Sequence, residues 1–126
     1  MVERKPIDRA TRGRLAETFA RDALLRGGLK QIAANVNYRG GELDLVMLDN
    51  SGRQGDTLVF VEVRSRASGA FGGAGASIGS AKQRRIVLAA RHYLQRFGSA
   101  PPPCRFDAVL VEGQRLQWLR GAFDAG

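Results

Sequence analysis

One hundred and twenty-six residues and 13.7 kDa are the size of one domain. With 44% hydrophobic and 25% charged residues, wholesale disorder is excluded. No apolar run approaches the roughly 20 residues of a membrane-spanning helix. The 20 Lys and Arg stand against 12 Asp and Glu, a formal net charge of +8, and all but Lys5, Lys30 and Lys82 are arginine. Arginine presents a planar fork of donors suited to phosphate, so a polyanion, most simply nucleic acid, is the expected partner.

The charged opening MVERKPIDRATRGR has no apolar stretch behind it and does not read as a secretory signal. One cysteine, Cys104, and one histidine, His92, exclude an internal disulfide and a Cys/His zinc cage. A reducing cytoplasm is the expected setting. The charge is segmented: residues 1–40 net +5, 41–62 net −4, 63–106 net +8 and 107–126 net −1. An acidic island between basic stretches suggests a metal site inside a phosphate-binding surface.

Residues 1–10 read as a basic arm, 11–120 as one domain and 121–126 as a tail. A first helix is predicted from Thr11 to Arg26, capped by Thr11 or Asp8 and stopped by Gly27-Gly28. Its buried stripe is Leu15, Ala16, Phe19, Ala20, Ala23 and Leu24, with Glu17 at the edge, aimed along a cleft. Leu29–Asn37 is a first strand and Asn37–Gly41 a turn. Glu42–Leu48 is a second strand, with Glu42, Asp44, Val46 and Leu48 on one face and Leu43, Leu45 and Met47 on the other. Residues 49–56 form a hairpin loop. Thr57–Arg64 is a third strand whose unbroken apolar run marks it as central. A glycine-rich loop, 67–79, reads as mobile. Ser80 and Gln83 then form a capping box on a second helix that runs to about Phe97. Its apolar stripe is Ile86, Ala90, Tyr93, Leu94 and Phe97. Arg105–Val111 and Arg115–Leu119 are the last strands. The order α-β-β-β-α-β-β implies an α/β fold, a mixed five-stranded sheet flanked by helices.

In a symmetric hairpin between the second and third strands, paired residues sum to 106. Asp44 then faces Glu62, and directly opposed like charges destabilise a sheet. Glu62 also follows a buried run, where a lone carboxylate is costly. A hard divalent cation resolves both problems, because Mg²⁺ favours one or two carboxylates plus phosphate and water oxygens. Arg64, two residues on, is placed to hold a phosphate oxygen.

Gly41-Glu42-Leu43-Asp44-Leu45, Val59-Phe60-Val61-Glu62-Val63-Arg64-Ser65-Arg66, Lys82 and Arg105-Phe106-Asp107, in this order, resemble the YraN-like family of small bacterial proteins. That family is related to archaeal Holliday-junction resolvases and to restriction-endonuclease-like nucleases with a D…E-x-K motif. The resemblance spans roughly residues 11–112. It implies a restriction-endonuclease-like fold and a Mg²⁺- or Mn²⁺-dependent endonuclease. Asp44 and Glu62 would be metal ligands, joined by the main-chain carbonyl of Val63. Glu17 would match the acidic residue on the resolvases' first helix. Glu42 would be a signature residue, and Lys82 would reach phosphate. A homodimer follows by the same resemblance, because a four-way junction needs two symmetric cuts.

Arg64 stands where the nuclease motif has lysine. Arginine stays protonated and cannot act as a base, although it can stabilise charge on a transferring phosphoryl group. This favours the competing reading of a DNA-binding module that keeps the fold without the chemistry. Lys82, Arg84, Arg85 and Arg66 are the expected phosphate contacts, tracking the backbone without reading bases. Junction or branched DNA fits this better than a defined sequence. A protein-docking adaptor resting on the last strand and Trp118 is a third reading. His92 reads as a helix-surface residue, Asp107 as a structural ion-pair partner and Trp118 as a core or interface residue. The glycine loop lacks the Lys-Ser/Thr ending of a P-loop.

Overall fold

Asp8 accepts a hydrogen bond from the Thr11 amide at 2.7 Å and so caps the first helix, α1 (Arg9–Arg26). In the computed structural model, which describes residues 8–53, 55–66 and 78–126, five strands and a second helix follow. They are β1 (Lys30–Tyr38), β2 (Gly41–Asp49), β3 (Thr57–Ser65), α2 (Ser80–Leu94), β4 (Cys104–Glu112) and β5 (Arg115–Phe123). The expected element order is the observed one. The strands lie in sequence order across one sheet; β3 and β4 are parallel and the other neighbours antiparallel. Helix α2 is the crossover that a parallel pair requires. Among the described residues, no helix is long and apolar enough to cross a membrane.

The sheet is covered on both faces. On one, Ala16, Ala20 and Leu24 of α1 pack on Leu45, Met47, Val59, Val61, Val109 and Val111. On the other, Ile86, Ala89, Ala90 and Tyr93 of α2 pack on Leu43, Val46, Leu58, Phe60, Phe106 and Ala108. Central β3 is buried from Leu58 to Glu62, which is why its run shows no alternation.

Several local expectations change. Leu15 is 54% exposed rather than part of the buried stripe, because α1 rests on the sheet through small residues. Ser80 does not cap α2: Gly79 holds the cap position, and Gln83 donates its side-chain amide to the Ile78 carbonyl at 2.7 Å. The last turn before Phe97 tightens into a 3-10 turn, Gln95–Phe97, and Phe97 is half-exposed. Strand β5 runs four residues past Leu119, so Gly121–Phe123 belongs to the sheet. The arm at residues 1–7 and the glycine loop at 67–77 lie outside the described residues.

At the β2 end, buried Asp49 accepts from the Ser51 hydroxyl at 2.5 Å, from the Ser51 amide at 2.9 Å and from Arg105 at 3.0 Å. These donors hold its carboxyl down at about 2, below the ordinary 3.8. A depressed carboxyl pKa contributes stability that is complete above its unfolded value and lost as pH falls through the folded one. An acid titration followed by urea unfolding is therefore expected to lose about 2 kcal/mol between pH 4 and 2 that an Asp49→Asn variant does not lose.

Candidate metal and phosphate site

The β2–β3 ladder pairs Asp49 with Thr57, Leu48 with Leu58, Met47 with Val59, Val46 with Phe60 and Leu45 with Val61, the register of a symmetric hairpin. It stops one pair short of Asp44 and Glu62. There the two strands part, and the Asp44 side chain takes over as acceptor: its Oδ2 receives the Val63 N–H at 2.9 Å. The carboxylate is thus tied to the neighbouring strand just past the point where main-chain pairing ends.

The expected alternation along β2 fails at this residue. Leu45 and Met47 face α1 and Val46 the opposite, α2 side, in the expected alternation, but Leu43 also faces α2. Strand β1 breaks phase at the matching place. Ala33 and Val36, three residues apart, both pack on the α2 side. Between them Asn35 adopts φ +53°, the one non-glycine residue with positive φ among those described. Flanking pairs Ala34–Leu45 and Val36–Leu43 set Asn35 across from Asp44. Two irregularities thus face each other across the β1–β2 ladder.

Glu62 is 8% exposed. Burial first, and then the neighbouring Asp44 charge, push its carboxyl up to about 8; Lys82 and Arg64 act in the opposite direction. The two carboxyl groups are within hydrogen-bonding reach. Lys82 Nζ lies 3.7 Å from Glu62 Oε1. Around them runs a cleft of about 490 Å³ lined by Glu62, Val63, Arg64, Arg66, Lys82 and Arg85. Glu17 lies across the sheet on the α1 side, in a second hollow with Arg14, Arg21 and Asn35. Its carboxyl is raised by burial and by Asp44, against a hydrogen bond from Asn35. Asp44 is thus the charge that both glutamates feel.

Most of the expected site residues converge. Asp44, Glu62, Val63, Arg64, Arg66, Lys82 and Arg85 share one cleft or its rim. Arg84 does not: it points to a separate hollow with Arg91 and Asp124. Among the described residues, no three His, Cys, Asp or Glu side chains gather into a metal cage. The donor set at the fork is two hard carboxylates beside main chain and an open, basic cleft. That suits a cation such as Mg²⁺ or Mn²⁺, which completes its shell with water and phosphate oxygens.

Gly41, the first residue of the β2 motif, is required by helix packing. A Cβ there would lie 2.2 Å from the Arg85 carbonyl oxygen and 3.2 Å from Ala89 Cβ. The obstacle is main chain, so α2 itself must move. Gly41→Ala is expected to lower stability by about 1–3 kcal/mol, read as a lower urea midpoint at unchanged slope. Because α2 carries Lys82 and Arg85, this glycine also sets how closely the basic helix approaches the carboxylates.

A mixed α/β sheet with a carboxylate fork between two of its strands is the class of protein defined by this fold and site. Within that class, the chain belongs to the family described as Uncharacterised protein family UPF0102, whose sequence profile matches residues 16–111. It is 60% identical over 128 aligned positions to a UPF0102 protein of Paracidovorax citrulli, covering 98% of this chain and 89% of that relative. It is 56% identical over 108 positions to one of Methylibium petroleiphilum, covering 81% and 84%. A relative in Dechloromonas aromatica is 53% identical over 114 positions, covering 90% and 89%.

Proposed function

We propose that this chain is a metal-dependent phosphodiester hydrolase, an endonuclease acting on DNA, with branched or junction DNA as its preferred form. The observation that carries the reading is the Asp44–Glu62 pair at the β2–β3 fork, opening onto a cleft lined with Arg64, Arg66, Lys82 and Arg85. Two adjacent carboxyls, one of them buried, are unfavourable in themselves, and a cation between them removes the repulsion. The resemblance to junction resolvases and D…E-x-K nucleases supports the same reading.

Asp44 and Glu62, with the Val63 carbonyl, would hold Mg²⁺ or Mn²⁺, which when bound polarises the scissile phosphate and lowers the pKa of a water. The Val63 amide fixes the Asp44 carboxylate. Lys82, now leaning on Glu62, is released toward phosphate once Glu62 has another positive partner. Arg64 supplies a permanent charge for the oxygens of the pentacovalent phosphorus. Glu17 orients water or cation from the α1 side. Hydrolysis forms one water-oxygen–phosphorus bond and breaks one phosphorus–oxygen bond, the leaving oxygen taking up a proton. Symmetric cutting of a four-way junction needs two sites, so a homodimer belongs to the proposal. A DNA substrate and an exposed, unpaired Cys104 both fit the cytoplasm.

Arg64 supports a second reading, a DNA-binding module without chemistry, because arginine cannot take a proton from water. Labelled linear, flapped and four-way DNA should be incubated with Mg²⁺ or Mn²⁺ and wild type, Asp44→Ala or Arg64→Lys. Cleavage by wild type, reduced at least 100-fold in Asp44→Ala, is the expected result. Cleavage by Arg64→Lys alone would identify a nuclease scaffold disarmed at one position. Salt-sensitive DNA binding with no cleavage by any variant would leave the binding module.

A further inference from the structure

We propose that Asn35 is a positioning residue of the carboxylate fork: its left-handed backbone breaks the phase of β1 opposite Asp44, and its side chain holds Glu17 toward that carboxylate. The role of Glu17 and Asp44 as cation-binding groups rests on the functional reading above; the placement by Asn35 does not.

Three observations converge on Asn35. First, φ +53° in mid-strand is a conformation most side chains avoid and asparagine tolerates. Regular strand geometry would send Ala33 and Val36 to opposite faces, yet both pack on the α2 side. Second, the phase break in β2 falls at Asp44, bracketed by the pairs that bracket Asn35. One irregular strand compels its partner to match, and the matched pair is what frees the Asp44 side chain to reach β3. Third, the Asn35 amide donates to Glu17, which is half-buried and feels the Asp44 charge. That bond favours the charged form of Glu17, which the Asp44 charge opposes. Asn35 is exposed and adds nothing to either core, so packing does not explain it.

The two contributions separate by substitution. Asn35→Gly keeps access to the left-handed backbone and removes the amide; Asn35→Ala removes both. Mn²⁺ binding by the full chain, read from the electron paramagnetic resonance of free Mn²⁺, is the assay. Asn35→Gly is expected to melt close to wild type and bind Mn²⁺ about tenfold more weakly, the usual effect of losing a group that orients a ligand. Asn35→Ala should bind more weakly still. Adding Asn35→Gly to Glu17→Ala should cost nothing further, because the amide acts through Glu17. Wild-type affinity in Asn35→Gly, or additive losses in the double variant, would overturn the proposal. If wild type binds no Mn²⁺, the metal reading itself fails. The placement is then decided by the Asn35 side-chain amide resonance, which must shift in Glu17→Ala; an unmoved resonance overturns it.

Discussion

Glu62→Gln is expected to yield a protein that melts higher than wild type at pH 8 and has lost its affinity for Mn²⁺ by at least 100-fold. The stability half follows from the site as it stands. Glu62 is buried beside Asp44, and its carboxyl sits at about 8 against an ordinary 4.5. A raised carboxyl pKa means that the folded chain keeps a proton the unfolded chain releases. Stability therefore falls as pH rises from about 4.5 toward 8, by on the order of 2–4 kcal/mol in all. Glutamine fills the same space, carries no charge and can still donate to Asp44, so the variant is spared that fall. At pH 4, where wild-type Glu62 is mostly protonated in both states, the two proteins should unfold at nearly the same urea concentration. The binding half follows because an amide is a far weaker partner for a hard cation than a carboxylate. Thermal unfolding at pH 4 and pH 8, with and without Mn²⁺, reads both halves together. Wild type should gain stability from Mn²⁺ at pH 8, and Glu62→Gln should not. Equal melting of the two proteins at pH 8 would mean that the carboxyl pair carries no strain. A site that holds a destabilising charge pair for the sake of a ligand is a familiar trade of stability for function.

The sequence made the frame readable because its strongest signals are local and periodic. The unbroken apolar run of β3, the symmetric loop behind the β2–β3 register and the crossover helix between parallel strands all depend on neighbours in the chain. Glu62 stood out because a carboxylate at the end of such a run needs a reason. What escaped were features set by distant partners. Leu43 changed face because Asn35, on another strand, left the β conformation, and no window around Leu43 contains that information. Asn35 itself left only a faint trace, a turn-former inside a strand pattern. Leu15 looked buried because periodicity reports the apolar face of α1, not how close α1 comes to the sheet; the small residues Ala16 and Ala20 set that distance. Ser80 matched a capping pattern that the chain did not use, since Gln83 found the Ile78 carbonyl instead. Arg84 and Arg85 were indistinguishable as charges, and only the rotation of α2 puts Arg85 in the cleft and Arg84 outside it.

Asp107→Ala is expected to cost about 3–5 kcal/mol while leaving Mn²⁺ binding per folded molecule unchanged. Asp107 is wholly inaccessible to solvent and lies in β4 beside Val61, one residue from the position paired with Glu62. Its two oxygens accept four bonds: Arg105 Nε at 2.8 Å, Arg105 Nη2 at 3.0 Å, Trp118 Nε1 at 2.9 Å and the Gly121 amide at 2.9 Å. Arg105 also reaches Asp49, so one guanidinium links the ends of β2 and β4, while Trp118 and Gly121 tie in edge strand β5. The β4–β5 register slips between Phe106 and Ala108, and the carboxylate satisfies the amide of Gly121 on the opposing strand. Alanine leaves the partly buried Arg105 guanidinium with Asp49 as its remaining carboxylate here, and takes this acceptor from the partly buried Trp118 indole N–H and the Gly121 N–H. Asp107→Asn keeps the shape and one acceptor oxygen, so it should recover part of the loss. A domain of this size has only some 5–15 kcal/mol in hand, so the alanine variant should be unfolded in part at 37 °C. Mn²⁺ titration at 10 °C, corrected for the folded fraction by circular dichroism, separates the two roles of the motif segments. Unchanged affinity per folded molecule assigns Arg105-Phe106-Asp107 to the clamp that holds β4 and β5 against the central strand. A loss of affinity in the folded fraction would mean instead that this clamp sets the position of Glu62, and that β4 is part of the site.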